Sequence, residues 1–287
     1  MTNLTSIRFG ETDIEAIAGQ EGRVAILVDT EGKLDPAGRR VNRLTRGTLA
    51  RMVDSSRFEK LGQGEVISLG FPAGLSAEAL DIVKLDRRPS QADARKAGAA
   101  LGRLRGEYDM LVLTGSTRRA ADMAFGIAMR DYRFNAHKTK AEPAKGEVTL
   151  MASKPEDVAA AAAPLMAIAD GAHMTRDLVN EPANILTTTE FADRLAEMSS
   201  LGLKVDVLEE DALEELGMRT LLSVGQGSDS PSKVVVMPWI WGAQAPSRGP
   251  CARWPCARPR PMWLASLVWL RICPLETRPA PETWLDR

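Results

Sequence analysis

Tryptophan and cysteine are missing from the first 238 residues of this 287-residue chain; all six tryptophans and all three cysteines fall in the last 49. Without cysteine, the first 238 residues hold no disulfide framework and no thiolate zinc site. Histidine is nearly absent, with only His137 and His173, and their separation excludes a zinc pattern. No apolar stretch near the end is long enough to span a bilayer, the longest running only from Met262 to Leu270. The first residues, Met1 to Glu15, have no basic segment leading into an apolar run, so no signal peptide is expected. Excess charge is lacking too: 37 basic against 38 acidic residues leave a net charge of −1. That balance gives no reason to expect nucleic acid or a membrane as partner. A cytoplasmic protein is the default expectation.

What is present suits a globular chain. Hydrophobic residues make up 44%, enough for a sizeable core, and the length allows one large domain or two ordinary ones. Short β-branched apolar runs at 23–29, 65–69, 80–85, 109–114 and 147–151 predict strands. Helical spacing appears over 44–53, 90–105, from 116 to about 130, and from Pro155 toward Val179, with Ser76 a candidate cap for one more short helix. Pro164 falls inside the last of these and should kink or split it. This alternation predicts an α/β fold with a mostly parallel sheet, Rossmann-like, covered on both faces. Further on, 190–198 and 211–216 read as helices, Gly217 as a helix stop, and 204–208 and 233–237 as strands apolar on both faces, as buried parallel strands are. The organisation expected is an N-terminal domain over 1–170, a linker and the first elements of a second domain over 171–238, and a tail of different composition over 239–287.

The candidate sites are few. Gly225-Gln226-Gly227 opens like a dinucleotide fingerprint, but the third glycine position is Ser230, so a turn is the better reading. Thr114-Gly115-Ser116-Thr117 ends a strand and opens a helix; it is either an anion cradle or an ordinary helix cap. Asp177 and Glu181 stand four apart and could share a helix face as a metal pair, or be solvated helix-end charges. Cys251 and Cys256 lack knuckle spacing, and Ser116, Ser223 and Ser228 lack a nucleophile elbow. No catalytic, cofactor-binding or metal residue is assigned.

One stretch outweighs these. Residues 175–191 read TRDLVNEPANILTTTEF, in which Pro182 can close the preceding helix, and Asn180 and Asn184 can bond backbone groups of the turn. This string resembles the leucyl aminopeptidase (cytosol aminopeptidase) family, where it joins the N-terminal domain to the metallopeptidase domain. The resemblance is specific over about 175–237 and extends more weakly back to Arg23; Thr188 departs from the proline common there. It implies a macro-domain-like N-terminal domain, an often hexameric assembly, peptide substrates, and two Zn²⁺ or Mn²⁺ ions that activate water. The family's ligands lie beyond the strand matching 233–237, in segments this sequence lacks: no lysine follows Lys233, and Asp286 is the sole later aspartate. The resemblance therefore implies a truncated, inactive member without cofactor. Two alternatives stand beside it, an assembly or regulatory partner of full-length subunits and a small-anion or nucleotide-binding domain.

The tail differs in kind, with seven arginines and eight prolines from Trp239 onward. Allowed codons for 250–277 can be written so that a shifted frame reads MRALAMRKAPANVVGVIGLVENMPSGN, which resembles a downstream segment of the same family. Residues from about 239 are accordingly read as out-of-frame translation.

Overall fold

A computed structural model describes residues 4–140 and 145–237 and divides the chain into two compact units, Met1–Asn180 and Glu181–Arg287. In the first unit six strands form one sheet: β1 (Ile7–Glu11), β2 (Arg23–Val28), β3 (Val66–Gly70), β4 (Ala79–Lys84), β5 (Met110–Gly115) and β6 (Val148–Ala152). Their order is β1-β6-β5-β2-β4-β3, parallel throughout except for β3, which pairs antiparallel with β4 at one edge. The chain belongs to the mixed α/β class with a mostly parallel sheet, as its alternating pattern implies.

The period of two along β2 sorts its side chains between two cores. Val24, Ile26 and Val28 face a layer built from α1 (Pro36–Leu44), α2 (Thr48–Val53) and α3 (Ser56–Glu59), where Val41, Leu49 and Phe58 are buried. Ala25 faces the opposite layer, with Ala97 and Leu101 of α4 (Gln91–Arg105) and Met123 and Ile127 of α5 (Ala120–Arg130). The two helices α4 and α5 touch through glycine: a β-carbon on Gly98 would strike the Met123 carbonyl, and one on Gly126 the Arg95 carbonyl.

Several expectations are corrected here. β1, not read from the sequence, is an edge strand whose Arg8, Gly10 and Glu11 break the apolar pattern, and its register against β6 (Ile7 with Val148) makes it a strand. Of the helical spacing over 44–53, Leu44 ends α1 and only 48–53 is the helix α2; between them Arg46 and Gly47 take positive φ of 51° and 80°. Ser76 caps no helix, because its amide donates to Ala18 O and that of Glu78 to Gly22 O, which commits the segment to an extended entry into β4. The long helix α6 (Pro155–Asn180) is not split by Pro164; both Pro164 and Ala160 are exposed, so water can satisfy the carbonyl that loses its donor. It passes through residue 170 unbroken and ends at Asn180.

The second unit contains α7 (Thr188–Ala196), a 3₁₀ turn (Glu197–Leu201), β7 (Asp206–Leu208), α8 (Glu210–Glu215), α9 (Arg219–Gly225) and β8 (Val234–Val236). Gly217 ends α8 as expected: at φ 70° its amide bonds Glu214 O while Met218 N reaches Leu213 O, the reciprocal pair of a Schellman turn. β7 and β8 were expected as buried parallel strands; they pair antiparallel with each other, Val207 opposite Val235. Segments of three residues fit either geometry, and the α8–α9 excursion between them brings them back in opposite directions.

Candidate functional site

Four residues on one stripe of α6 clasp the end of α5. Their spacing, His173, Arg176, Asp177 and Asn180, puts them on one helix face. His173 is 1% exposed and its Nε2 lies 3.1 Å from Ala128 O. The Arg176 Nη1 donates to Met129 O at 2.9 Å, and its guanidinium lies over the Tyr132 ring. Tyr132 Oη donates to Asp177 Oδ1 at 3.0 Å and accepts from Asn180 Nδ2 at 2.8 Å. Burial chiefly raises the Tyr132 pKa, which keeps the hydroxyl protonated and able to donate. Burial also lowers the His173 pKa, so the imidazole is held neutral. Asn180, expected to bond backbone groups of the turn, bonds this side chain; Pro182 O instead accepts from the amides of Ile185 and Leu186.

Asp177 and Glu181 do not form a metal pair. The helix ends at Asn180, so Glu181 lies beyond the face that carries Asp177. Asp177 takes the Tyr132 hydroxyl, while Glu181 faces Arg194 at 3.4 Å. Arg194 also reaches Glu190 at 2.7 Å, and that bond is the main reason its pKa is raised. Thr187 caps α7 by accepting from Glu190 N, which leaves Thr188 at the first helical position. A proline is tolerated there because the amide is unpaired anyway. The hydroxyl that replaces it donates to Pro231 O at 2.7 Å, a bond proline cannot make.

The Thr114–Thr117 loop is neither cradle nor cap. Thr114 Oγ1 donates to Met151 O at 2.8 Å, and Thr117 N bonds Thr114 O. The helix begins only at Ala120, with Arg119 before it and no side-chain cap. Gly115 takes φ +55°, and a β-carbon there would stand 2.8 Å from Asp35 Oδ2. An anion would meet that carboxylate. The carboxylate is fixed in turn as the cap of α1, where Oδ1 accepts from Gly38 N at 2.6 Å.

The remaining candidates are structural. Gly225 closes α9 rather than opening a nucleotide loop. Ser223 Oγ donates to Thr220 O, and Ser228 Oγ accepts from Ser230 N. His137 is exposed and meets the Phe134 ring edge-on. Among the described residues no three His, Cys, Asp or Glu side chains converge as metal ligands. The donor set of the described residues does not fit a pair of metal ions. Among them also, no helix is long and apolar enough to cross a membrane. Cys251, Cys256 and the tail read as out-of-frame lie outside the described residues.

Residues 173–248 match the family described as "Cytosol aminopeptidase family, catalytic domain". The match begins at the clasp histidine and runs past the composition break at 238. The chain is 51% identical over 242 residues to a "Probable cytosol aminopeptidase" of Dinoroseobacter shibae, covering 84% of this chain and 50% of that one. A protein of the same name from Cereibacter sphaeroides is 52% identical over 244 residues, with 85% and 50% covered. The chain thus spans about half the length of the curated relatives it matches. A tomato leucine aminopeptidase mutant shares the fold at a TM-score of 0.65 and 18% identity, over 81% of this chain and 51% of that one. The bottromycin maturation enzyme BotP, solved with Mn, gives a TM-score of 0.53 at 27% identity, over 74% and 43%.

Proposed function

Because the chain belongs to the cytosol aminopeptidase family over about half its relatives' length, we propose that this chain carries the amino-terminal half of an aminopeptidase and does not hydrolyse peptides by itself. The observation that carries this reading is the asymmetry of the match, 84% of this chain against 50% of its relative. The whole protein to which such a half belongs would release N-terminal residues from peptides in the cytoplasm. The two metal ions that the resemblance implies would be held by segments this sequence does not contain.

The carboxylates nearest the family-specific stretch support the reading. Asp177 holds Tyr132, Glu181 and Glu190 hold Arg194, and Glu209 holds Lys233 at 2.6 Å. Each has a structural task, and none is offered with a second acid and a histidine to an ion. The test is a purified chain supplied with Mn²⁺ or Zn²⁺ and leucyl p-nitroanilide. No release above buffer is expected. Metal-dependent turnover that co-elutes with the chain, from a host lacking its own leucyl aminopeptidase, would overturn the proposal.

A further inference from the structure

The clasp between α5 and α6 has room for only one charge state of His173. Nε2 lies against a carbonyl oxygen, Ala128 O, so it is the ring nitrogen that carries hydrogen. A second proton has to go to Nδ1, which is buried and has no hydrogen-bond partner among the described residues. It would create a buried cation whose new donor finds no acceptor. The neighbouring charges do not compensate. Arg176 on α6 and Lys145 before β6 repel a cation there, while Asp177 attracts it. Asp177 already takes the hydroxyl of Tyr132, the titratable group on the α5 side, and Asp131 beside it takes Arg105 and Lys145. Beneath α6 the sheet turns Ile7, Phe9, Val148 and Leu150 inward, whereas Arg8 and Glu11 of β1 are exposed.

Where the clasp sits gives this conflict its consequence. Upstream, α6 is anchored by buried Ala162 and Ala169, and Met166 packs against the α4–α5 layer. From residue 170 to the helix end only His173 and Asp177 are buried, and Thr175, Val179 and Asn180 are exposed. A helix end held this way can open locally while its upstream anchors stay in place. We propose that His173–Asn180 is an acid-released latch: a proton taken up by His173 frees the last two turns of α6 from the end of α5, and the rest of the first unit stays folded. The proton comes from water and goes to Nδ1, which meets solvent when the helix end lifts. Ala128 O and Met129 O then lose their side-chain donors, and Tyr132 loses Asp177 and Asn180. The freed turns lead directly into 181–184, so acidity governs the order of the chain where it leaves the first unit.

The closed latch resists ionisation because burial lowers the His173 pKa, whereas the open segment titrates at the ordinary imidazole value of about 6.5. Opening is therefore favoured as pH falls below that value and not above it. The test is hydrogen exchange of the full chain at about pH 7.5 and 5.5, on either side of the imidazole value, corrected for the intrinsic pH dependence of amide exchange. Opening at 173–180 should rise several-fold, with a ceiling of about tenfold set by the free imidazole. Amides of α4, and of α6 as far as Ile168, should keep their protection. His173→Gln, which retains a donor for Ala128 O, should abolish the rise, and His137→Gln, on the exposed histidine, should retain it. With only two histidines in the chain, imidazole NMR of the unmutated protein follows His173 whether or not the variant folds. Its titration should coincide with the loss of protection at 173–180. Unchanged protection there, an equal loss in α4, an undiminished rise in His173→Gln, or a His173 titration that leaves protection intact would each overturn the proposal.

Discussion

The Tyr132 ring meets the His173 imidazole edge-on, with centroids 5.1 Å apart and planes at 64°. The contact joins the end of α5 to α6 two turns before the first unit ends, and it places histidine where a charge is poorly tolerated. Nε2 faces Ala128 O, and buried Nδ1 has no hydrogen-bond partner among the described residues. Burial is the first cause of the lowered pKa; among nearby charges Arg176 and Lys145 lower it and Asp177 opposes them.

A pH dependence follows. The fold accommodates neutral His173, whereas the unfolded chain ionises at the ordinary value of about 6.5. Below that value the unfolded state binds the extra proton, so stability falls as pH drops. His173→Gln keeps a donor for Ala128 O and removes the titration. Urea midpoints measured between pH 7.5 and 5 should decline more in wild type than in the variant. Parallel curves would show that His173 titrates alike in both states.

Asp131 neutralises a fully buried arginine. It receives Arg105 Nη2, the Thr5 hydroxyl and Lys145, while Arg105 Nη1 bonds Gly146 O at 2.8 Å. Burial lowers the Arg105 pKa, and the nearby Asp131 charge resists that shift. Asp131→Ala would strand the cation and should cost about 3–5 kcal/mol. Arg105→Met/Asp131→Leu should recover most of that loss, since an apolar pair needs no compensation. Chemical denaturation of the three proteins checks both statements. A double variant as weak as the single would mean that packing, not charge, sets the cost.

Gly225 leaves room for Ser232, whose Oγ occupies the space a β-carbon at 225 would need. Ser232 N bonds Glu210 Oε1 at 2.7 Å, so the serine backbone cannot easily retreat. Gly225→Ala should destabilise the second unit by about 1–3 kcal/mol through overpacking. Ser232→Ala alone should be nearly neutral, because its buried hydroxyl has no partner among the described residues. Combined, they should lose less than the sum. Hydrogen exchange at β7 and β8 reports the effect, and strict additivity would show that the two side chains do not meet.

Much of this protein was legible in the chain itself. The continuous apolar runs of β2 and β5 specify strands buried on both faces, because no alternation is left to distinguish one face from the other. Gly217 marks a helix end because a permissive φ is a local property. The TRDLVNEPAN string carried the family by itself. Other features depended on contacts between distant residues. β1 is a strand only because β6 lies beside it, and Ser76 fails as a cap because the 18–22 loop takes the amides that a helix would need. Asp177 and Glu181 look like a pair four residues apart, but the helix stops between them, and Tyr132 and Arg194 claim them separately. Period and propensity act over a few residues and can be read from the sequence. The task of a carboxylate is set by the group that reaches it across tens of residues, and only the folded chain decides which group that is.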